Sequence, residues 1–141
     1  MKKNGFSLLE LLIVVAIILI IATIAVPALL RSRQAAQETH AVANLKTVNT
    51  AEVQYMSNER TYGGIPQLVT AGLLDARYAS ATSGYTYDIQ LPSDYLDYTA
   101  AAIAQGANAG RYDYFTRPDF VIRYSTDSTR APVGLSGEPV R

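Results

Sequence analysis

The residue best placed to do chemistry in this chain is Glu10, one carboxylate at the head of an uncharged apolar run over 11–30. Four residues before it stands Phe6, preceded by Gly5 and by the basic pair Lys2 and Lys3. A charge in a membrane span costs about 2.5–3.5 kcal/mol on insertion scales, and less near an interface where it can snorkel. Such a group calls for a cationic partner, and residues four apart on a helix lie about one turn from each other. The other reactive groups assemble into nothing comparable. His40 is the single histidine and there is no cysteine, which excludes disulfides, thiol chemistry and Cys metal sites. No Ser stands in a nucleophile motif. Asp88, Asp94, Asp97, Asp113, Asp119 and Asp127 are scattered, whereas calcium wants several oxygens converging from one loop. We expect no catalytic residue, no cofactor and no metal site, and so not an enzyme.

The element that positions Glu10 is a long helix. The apolar run holds about 20 residues, enough at ~1.5 Å per residue to cross a ~30 Å hydrocarbon core. Lys2 and Lys3 ahead of it place the N-terminus on the cytoplasmic side and the rest outside. A secretory signal is the rival reading, but its apolar region is shorter and needs an A-x-A-like site, which Val26, Pro27 and Ala28 fit poorly. Beyond the run, residues 31–58 contain neither Pro nor Gly. Val42, Leu45, Val48, Ala51 and Tyr55 recur at spacings of three and four, flanked by Glu52 and Met56, while Glu38, Lys46, Gln54 and Asn58 fall mostly on other faces. The pattern predicts one helix over about 7–58. Pro27 lies inside it, cannot donate to the carbonyl of Thr23, and should kink the axis.

After the helix the chemistry changes. Thr61, Tyr62, Gly63, Gly64, Ile65 and Pro66 make a turn region. A short helix over 67–71 closes at Gly72, with Leu73 and Leu74 packing inward, and 75–82 carries another turn. Alternation then predicts four strands, over 85–91, 95–104, 111–117 and 120–125, joined by Pro92, Gly106, Gly110 and Pro118 turns. Short connections favour an antiparallel meander. The tail over 126–141 reads as irregular. The fold class is α+β: a long N-terminal helix, its first half membrane-spanning, packed on a small four-stranded antiparallel sheet. The organisation is a leader over 1–5, an apolar helix over 6–30, its amphipathic continuation over 31–59, and a head over 60–141 made of a connection (60–83), the sheet (84–125) and the tail. Tyrosine is the compositional outlier, with 10 Tyr against 3 Phe and no Trp, and suits half-buried strands.

The stretch GFSLLELLIVVAIILIIATIAVP over 5–27 resembles the N-terminus of type IV prepilins and of the related pseudopilins of type II secretion. LKTVNTAEVQY, SGYTYDI and DFVIRYS further along resemble pilin-type heads more loosely. The resemblance implies cleavage after Gly5 by a prepilin peptidase, methylation of the new Phe6 amine, and polymerisation through the N-terminal helix. Glu10 would then pair with the Phe6 amine of a neighbouring subunit. Pro27 falls where the family has its helix-kinking proline, while Leu19 stands where members often have Gly. The implied partners are copies of the same chain, the peptidase and methyltransferase, an inner-membrane assembly platform, and the membrane before assembly. The implied location is the bacterial inner membrane, then a pilus at the surface or a periplasmic filament. A second reading is a type II secretion pseudopilin, or a minor pilin acting as a capture module. Two acids after Asp119, Asp127 and Glu138, weigh against the calcium loop of pseudopilins. Loss of 1–5 leaves ten basic against twelve acidic residues, which argues against a nucleic-acid binder working through bulk charge. Arg77, Arg111, Arg117 and Arg123 with interleaved Tyr offer only a diluted basic face.

Overall fold

The computed structural model describes residues 5–106, 108–124 and 137–140. The chain forms two compact units, Met1–Arg33 and Gln34–Arg141, and one helix, α1 (Leu8–Glu59), contributes to both. With no Gly or Pro between 28 and 59, nothing breaks the helix until Arg60, which takes a left-handed φ of 63°. The first unit is helix with its apolar side chains uncovered. The described part of the second unit contains the rest of α1, a short helix α2 (Ile65–Thr70), a 3-10 turn (Ala76–Ala79) and the sheet.

The buried positions of α1 are Glu38, Ala41, Leu45, Val48, Asn49, Ala51 and Glu52, a stripe at spacings of three and four. It lies on a five-stranded antiparallel meander in the order β1 (Tyr85–Gln90), β2 (Thr99–Ala104), β3 (Tyr114–Thr116), β4 (Arg123–Tyr124), β5 (Glu138–Pro139). Register explains how a sheet so rich in tyrosine packs. Tyr87 pairs with Ala102 and Ala102 with Tyr114, so a small residue on the central strand separates two large rings. Tyrosine suits this core because its polar tip can be satisfied. The Tyr98 hydroxyl donates to Asn49 Oδ1 at 2.8 Å, and Asn49 Nδ2 donates to the Thr116 hydroxyl at 2.9 Å. The Tyr78 hydroxyl donates to Asn44 Oδ1 at 3.1 Å, and Asn44 Nδ2 donates to the Tyr87 hydroxyl at 2.8 Å.

The α+β architecture and the meander match the expectation from sequence, but the sheet has five strands rather than four. The fifth sits inside the tail read as irregular. Its two residues are too short to show alternation, and it is held by pairing to β4 and by the Val140 N–H donating to Ile122 O at 2.8 Å. The strand expected from residue 95 starts only at Thr99. Asp94 and Asp97 side chains take the N–H groups of Leu96 and Tyr98 at 3.1 and 2.8 Å, and Tyr95 has φ 55°; such local bonds compete with the ladder. Likewise 111–117 narrows to β3 and 120–125 to β4, where Phe120 has φ 61°. The short helix starts at Ile65 rather than at residue 67, with Pro66 in its first turn, and closes at Gly72 with φ 71°. Leu74 is buried and Leu73 packs on the core, as the pattern implied. Lys2 and Lys3 of the leader, Ser125, Asp127 and the tail over 126–136 lie outside the described residues.

Candidate functional site

The residues singled out at the N-terminus share one short segment. Gly5, Phe6 and Ser7 precede α1 and are exposed. Space around Gly5 is open, since a Cβ there would meet nothing within 4 Å. The backbone on both sides of the Gly5–Phe6 bond is therefore accessible. The helix begins with the Leu11 N–H donating to Ser7 O at 3.2 Å. Glu10 falls in the first turn and is exposed, where a carboxylate is favoured by the free N–H groups and dipole of a helix N-terminus. Behind it, an 18-residue window of α1 reaches a mean hydropathy of 3.1 with none of it buried. Seventeen large hydrophobic residues from Phe6 to Leu30 stand exposed, each by 42 % or more. In water such a surface would be costly at about 25 cal/mol per Å², so it must be covered by lipid or by other protein. Pro27 lies within α1, which continues through it as one element.

In the second unit the structure buries two carboxylates that sequence reading placed otherwise. Glu38 was expected on a face away from the apolar stripe, but it is 7 % exposed. Its Oε1 accepts the Arg111 N–H at 2.7 Å and Nε–H at 3.3 Å, and its Oε2 accepts from Nη2 at 3.1 Å. Helix and β2–β3 connection are thus joined by a forked charge pair. Glu52, expected on the flank of the stripe, is 0 % exposed. Its Oε2 accepts the Gly63 N–H at 3.1 Å, and its Oε1 has no hydrogen-bond partner. Burial pushes its carboxyl up to about 7, with the Gly63 bond opposing part of that rise. Tyr98 is raised above the usual phenol value, by burial first and then by Glu52; Tyr114 is pushed up to about 12, again by burial first. The signal for both carboxylates was present in the chain: Glu38, Ala41, Leu45, Val48 and Glu52 keep the three-four spacing of the apolar stripe. Both acids therefore belong to an intrachain core. Among the described residues, no three His, Asp or Glu side chains converge.

With that geometry in place, the relationship to known proteins is legible. A family model, the prokaryotic N-terminal methylation motif, matches residues 1–26. Over this segment the chain carries that methylation motif, and over part of its length it is similar to type IV pilus proteins. It is similar to the type IV major pilin protein PilA of Myxococcus xanthus, at 39 % identity over 61 residues, covering 43 % of this chain and 28 % of the relative. It is also similar to the type IV wide pilus major component PilA4 of Thermus thermophilus, at 40 % identity over 61 residues, covering 43 % of this chain and 47 % of that relative. The matched stretch thus spans less than half the length of each relative. No solved structure matches the chain.

Proposed function

We propose that this chain is a structural subunit of a type IV pilus or a pilus-like filament and not an enzyme. A prepilin peptidase cuts after Gly5, the new Phe6 amine is methylated, and the subunits polymerise through the apolar half of α1. Before assembly the subunit sits in the bacterial inner membrane with its N-terminus in the cytoplasm and its head outside. An assembly platform in that membrane then draws it into a filament at the cell surface. One observation carries this reading: an apolar helix surface, uncovered along its full width, lies directly behind a methylation motif and an accessible Gly5–Phe6 bond. Glu10 is the one charge in that surface. Inside a dry filament core it pairs with the Phe6 amine of a neighbour, which offsets part of the cost of desolvating the two groups. Pro27 bends the helix so that its copies pack around a common axis.

Mass spectrometry of protein sheared from whole cells, with electron microscopy of the same fraction, tests the proposal. The expected result is a chain that starts at N-methyl-Phe6 in filaments dominated by this protein. The processed chain found solely in the inner membrane, or as a trace in filaments of another subunit, would instead mean a pseudopilin or minor pilin. An intact residue 1 would reject the processing.

A further inference from the structure

Glu52 is buried without a charge to meet it. Its Oε2 takes one neutral donor, the Gly63 N–H, and its Oε1 takes none. Glu38, by contrast, is buried against the Arg111 guanidinium. A carboxylate shut away from water with one neutral donor is costly, whereas a neutral carboxyl is tolerated there. The groups around Glu52 are phenols and acids. Tyr62 faces it from the connection after α1 and Tyr98 from the residue before β2, with Asp97 and Asp119 acting on those phenols from behind. Tyr55 of α1 packs on Gly63. Arg117 and Arg123 are committed to Asp97 and Asp119. Tyr62 and Tyr98 are both held above the usual phenol value, by burial first, and so stay neutral. Burial lifts the Glu52 carboxyl to about 7, so it changes charge near neutrality.

The walls around this carboxyl differ in how firmly they are held. Asn49 and Tyr98 are locked into helix and sheet by the Tyr98–Asn49–Thr116 bonds at 2.8 and 2.9 Å. Residues 61–63 belong to neither helix nor strand. The Tyr62 N–H donates to Tyr95 O at 2.9 Å, and the Tyr62 ring rests on Tyr98 with centroids 4.8 Å apart. Gly63 is seated closely, since a Cβ there would come within 2.9 Å of the Tyr55 ring. With Gly64 it puts two residues without side chains where the chain turns into α2, and such residues rearrange freely. The connection is thus the wall that can move without breaking helix or sheet.

We propose that residues 61–64 form a latch under the control of one proton: the neutral Glu52 carboxyl holds the connection shut against α1, and the carboxylate releases it. On ionisation the proton passes to solvent, water reaches both Glu52 oxygens and the Gly63 N–H, and Tyr62 leaves Tyr98 and Tyr95. The end of α1 is untouched, because the Arg60 N–H keeps its bond to Met56 O. The surface beside that end therefore has two forms, closed in acid and open in alkali. The latch belongs to the head and holds whether or not the chain assembles into a filament.

Hydrogen exchange of the full chain in detergent micelles tests it, with each rate divided by the intrinsic rate at its pH. From pH 5 to pH 8 the protection of the Tyr62 and Gly63 amides should fall by about tenfold, the size of one pH unit of proton linkage. It should stay far below that of core amides such as Leu45 and Ala102, as an opening within the folded state requires. Equal protection of connection and core at pH 8 overturns the latch, since the two would then open together. Protection at Gly63 that does not change with pH overturns it as well. Glu52→Gln should abolish the fall, and a variant that keeps it overturns the assignment to Glu52. NMR titration of the unaltered chain decides the matter even where that variant does not fold. The Glu52 carboxyl carbon and the Gly63 amide should shift with one shared midpoint near 7. A Glu52 midpoint at its ordinary 4.5, or a Gly63 amide that does not follow it, sinks the proposal.

Discussion

The two halves of α1 treat their apolar residues in opposite ways. From Leu8 to Leu30 every large hydrophobic side chain is exposed, and the sole acid is Glu10 at the surface of the first turn. In the second unit the same helix buries a narrow stripe that includes two acids, Glu38 and Glu52, both engaged by groups of their own chain. The difference lies in patterning. The first half is apolar all round, which a helix can sustain only inside lipid or among other helices. The second half is amphipathic and finds its partner in the sheet. A carboxylate is thus left exposed in one region and engaged by the fold in the other.

The largest effect follows from removing Glu10, the acid that we propose pairs with a neighbouring subunit. Glu10→Ala should leave insertion and cleavage intact, because the helix start and the open Gly5–Phe6 bond do not depend on it. Assembly should fall steeply, since a buried cation left without its carboxylate costs about 3–5 kcal/mol. Immunoblots of sheared and membrane fractions measure this. Wild-type filament amounts from the variant would break the contrast between the two regions.

The next effect concerns Glu52 and has the opposite character. Its folded value of about 7 lies above the ordinary 4.5. The folded state therefore binds the proton more tightly than the unfolded state does. The stabilisation is complete below about 4.5 and is lost as pH rises through about 7. At 1.36 kcal/mol per pH unit, discounted for solvent and relaxation around the group, the loss amounts to about 1–2 kcal/mol between pH 5 and pH 8. Denaturant midpoints of the full chain in detergent should show it. Glu52→Gln, which keeps an acceptor for Gly63 without the charge, should flatten the profile. A variant that retains the full pH slope would place the titrating group elsewhere.

Glu38 should matter less. Its Arg111 partner has a side chain 61 % exposed, so the ion pair itself contributes little. What Glu38→Ala removes is the acceptor for a backbone N–H at 2.7 Å, worth about 1–2 kcal/mol. Glu38→Gln should recover most of that loss in the same unfolding measurement. A Gln variant no better than Ala would show that charge, not the backbone bond, holds the β2–β3 connection.

How much of this was legible before the structure differs between the same regions. The apolar run and the long helix that carries it could be read directly, because composition and spacing alone mark them. The helix bounds came within one residue at each end. The sheet was readable where alternation was long, as at Tyr85, Tyr87 and Ile89. It was unreadable at β5, where two residues show no period, and it was overextended at Tyr95 and Phe120, where a left-handed residue ended the alternation. Glu38 was set on a face away from the stripe and Glu52 only on its flank, whereas both are buried. Their spacing pointed inward, and the partners that make burial tolerable, the N–H groups of Arg111 and Gly63, lie 73 and 11 residues away. No local pattern reports such a partner.

The smallest effect lies where α1 ends and the connection to the sheet begins. Arg60 donates its N–H to Met56 O at 3.0 Å and takes φ 63°, the left-handed conformation in which helices often terminate. That position ordinarily belongs to glycine, because a Cβ there crowds the carbonyl. Arg60 is exposed, so its side chain brings no packing to offset the crowding. Arg60→Gly should therefore stabilise the protein by about 0.5–1 kcal/mol, less whatever the added freedom of glycine costs in the unfolded chain. Because Gly63 and the Glu52 carboxylate that holds it lie just beyond, the gain should persist at both pH 5 and pH 8. A gain confined to pH 8 would mean that the helix terminus and the buried carboxylate are coupled, and that the end of α1 is tuned together with Glu52 rather than independently of it.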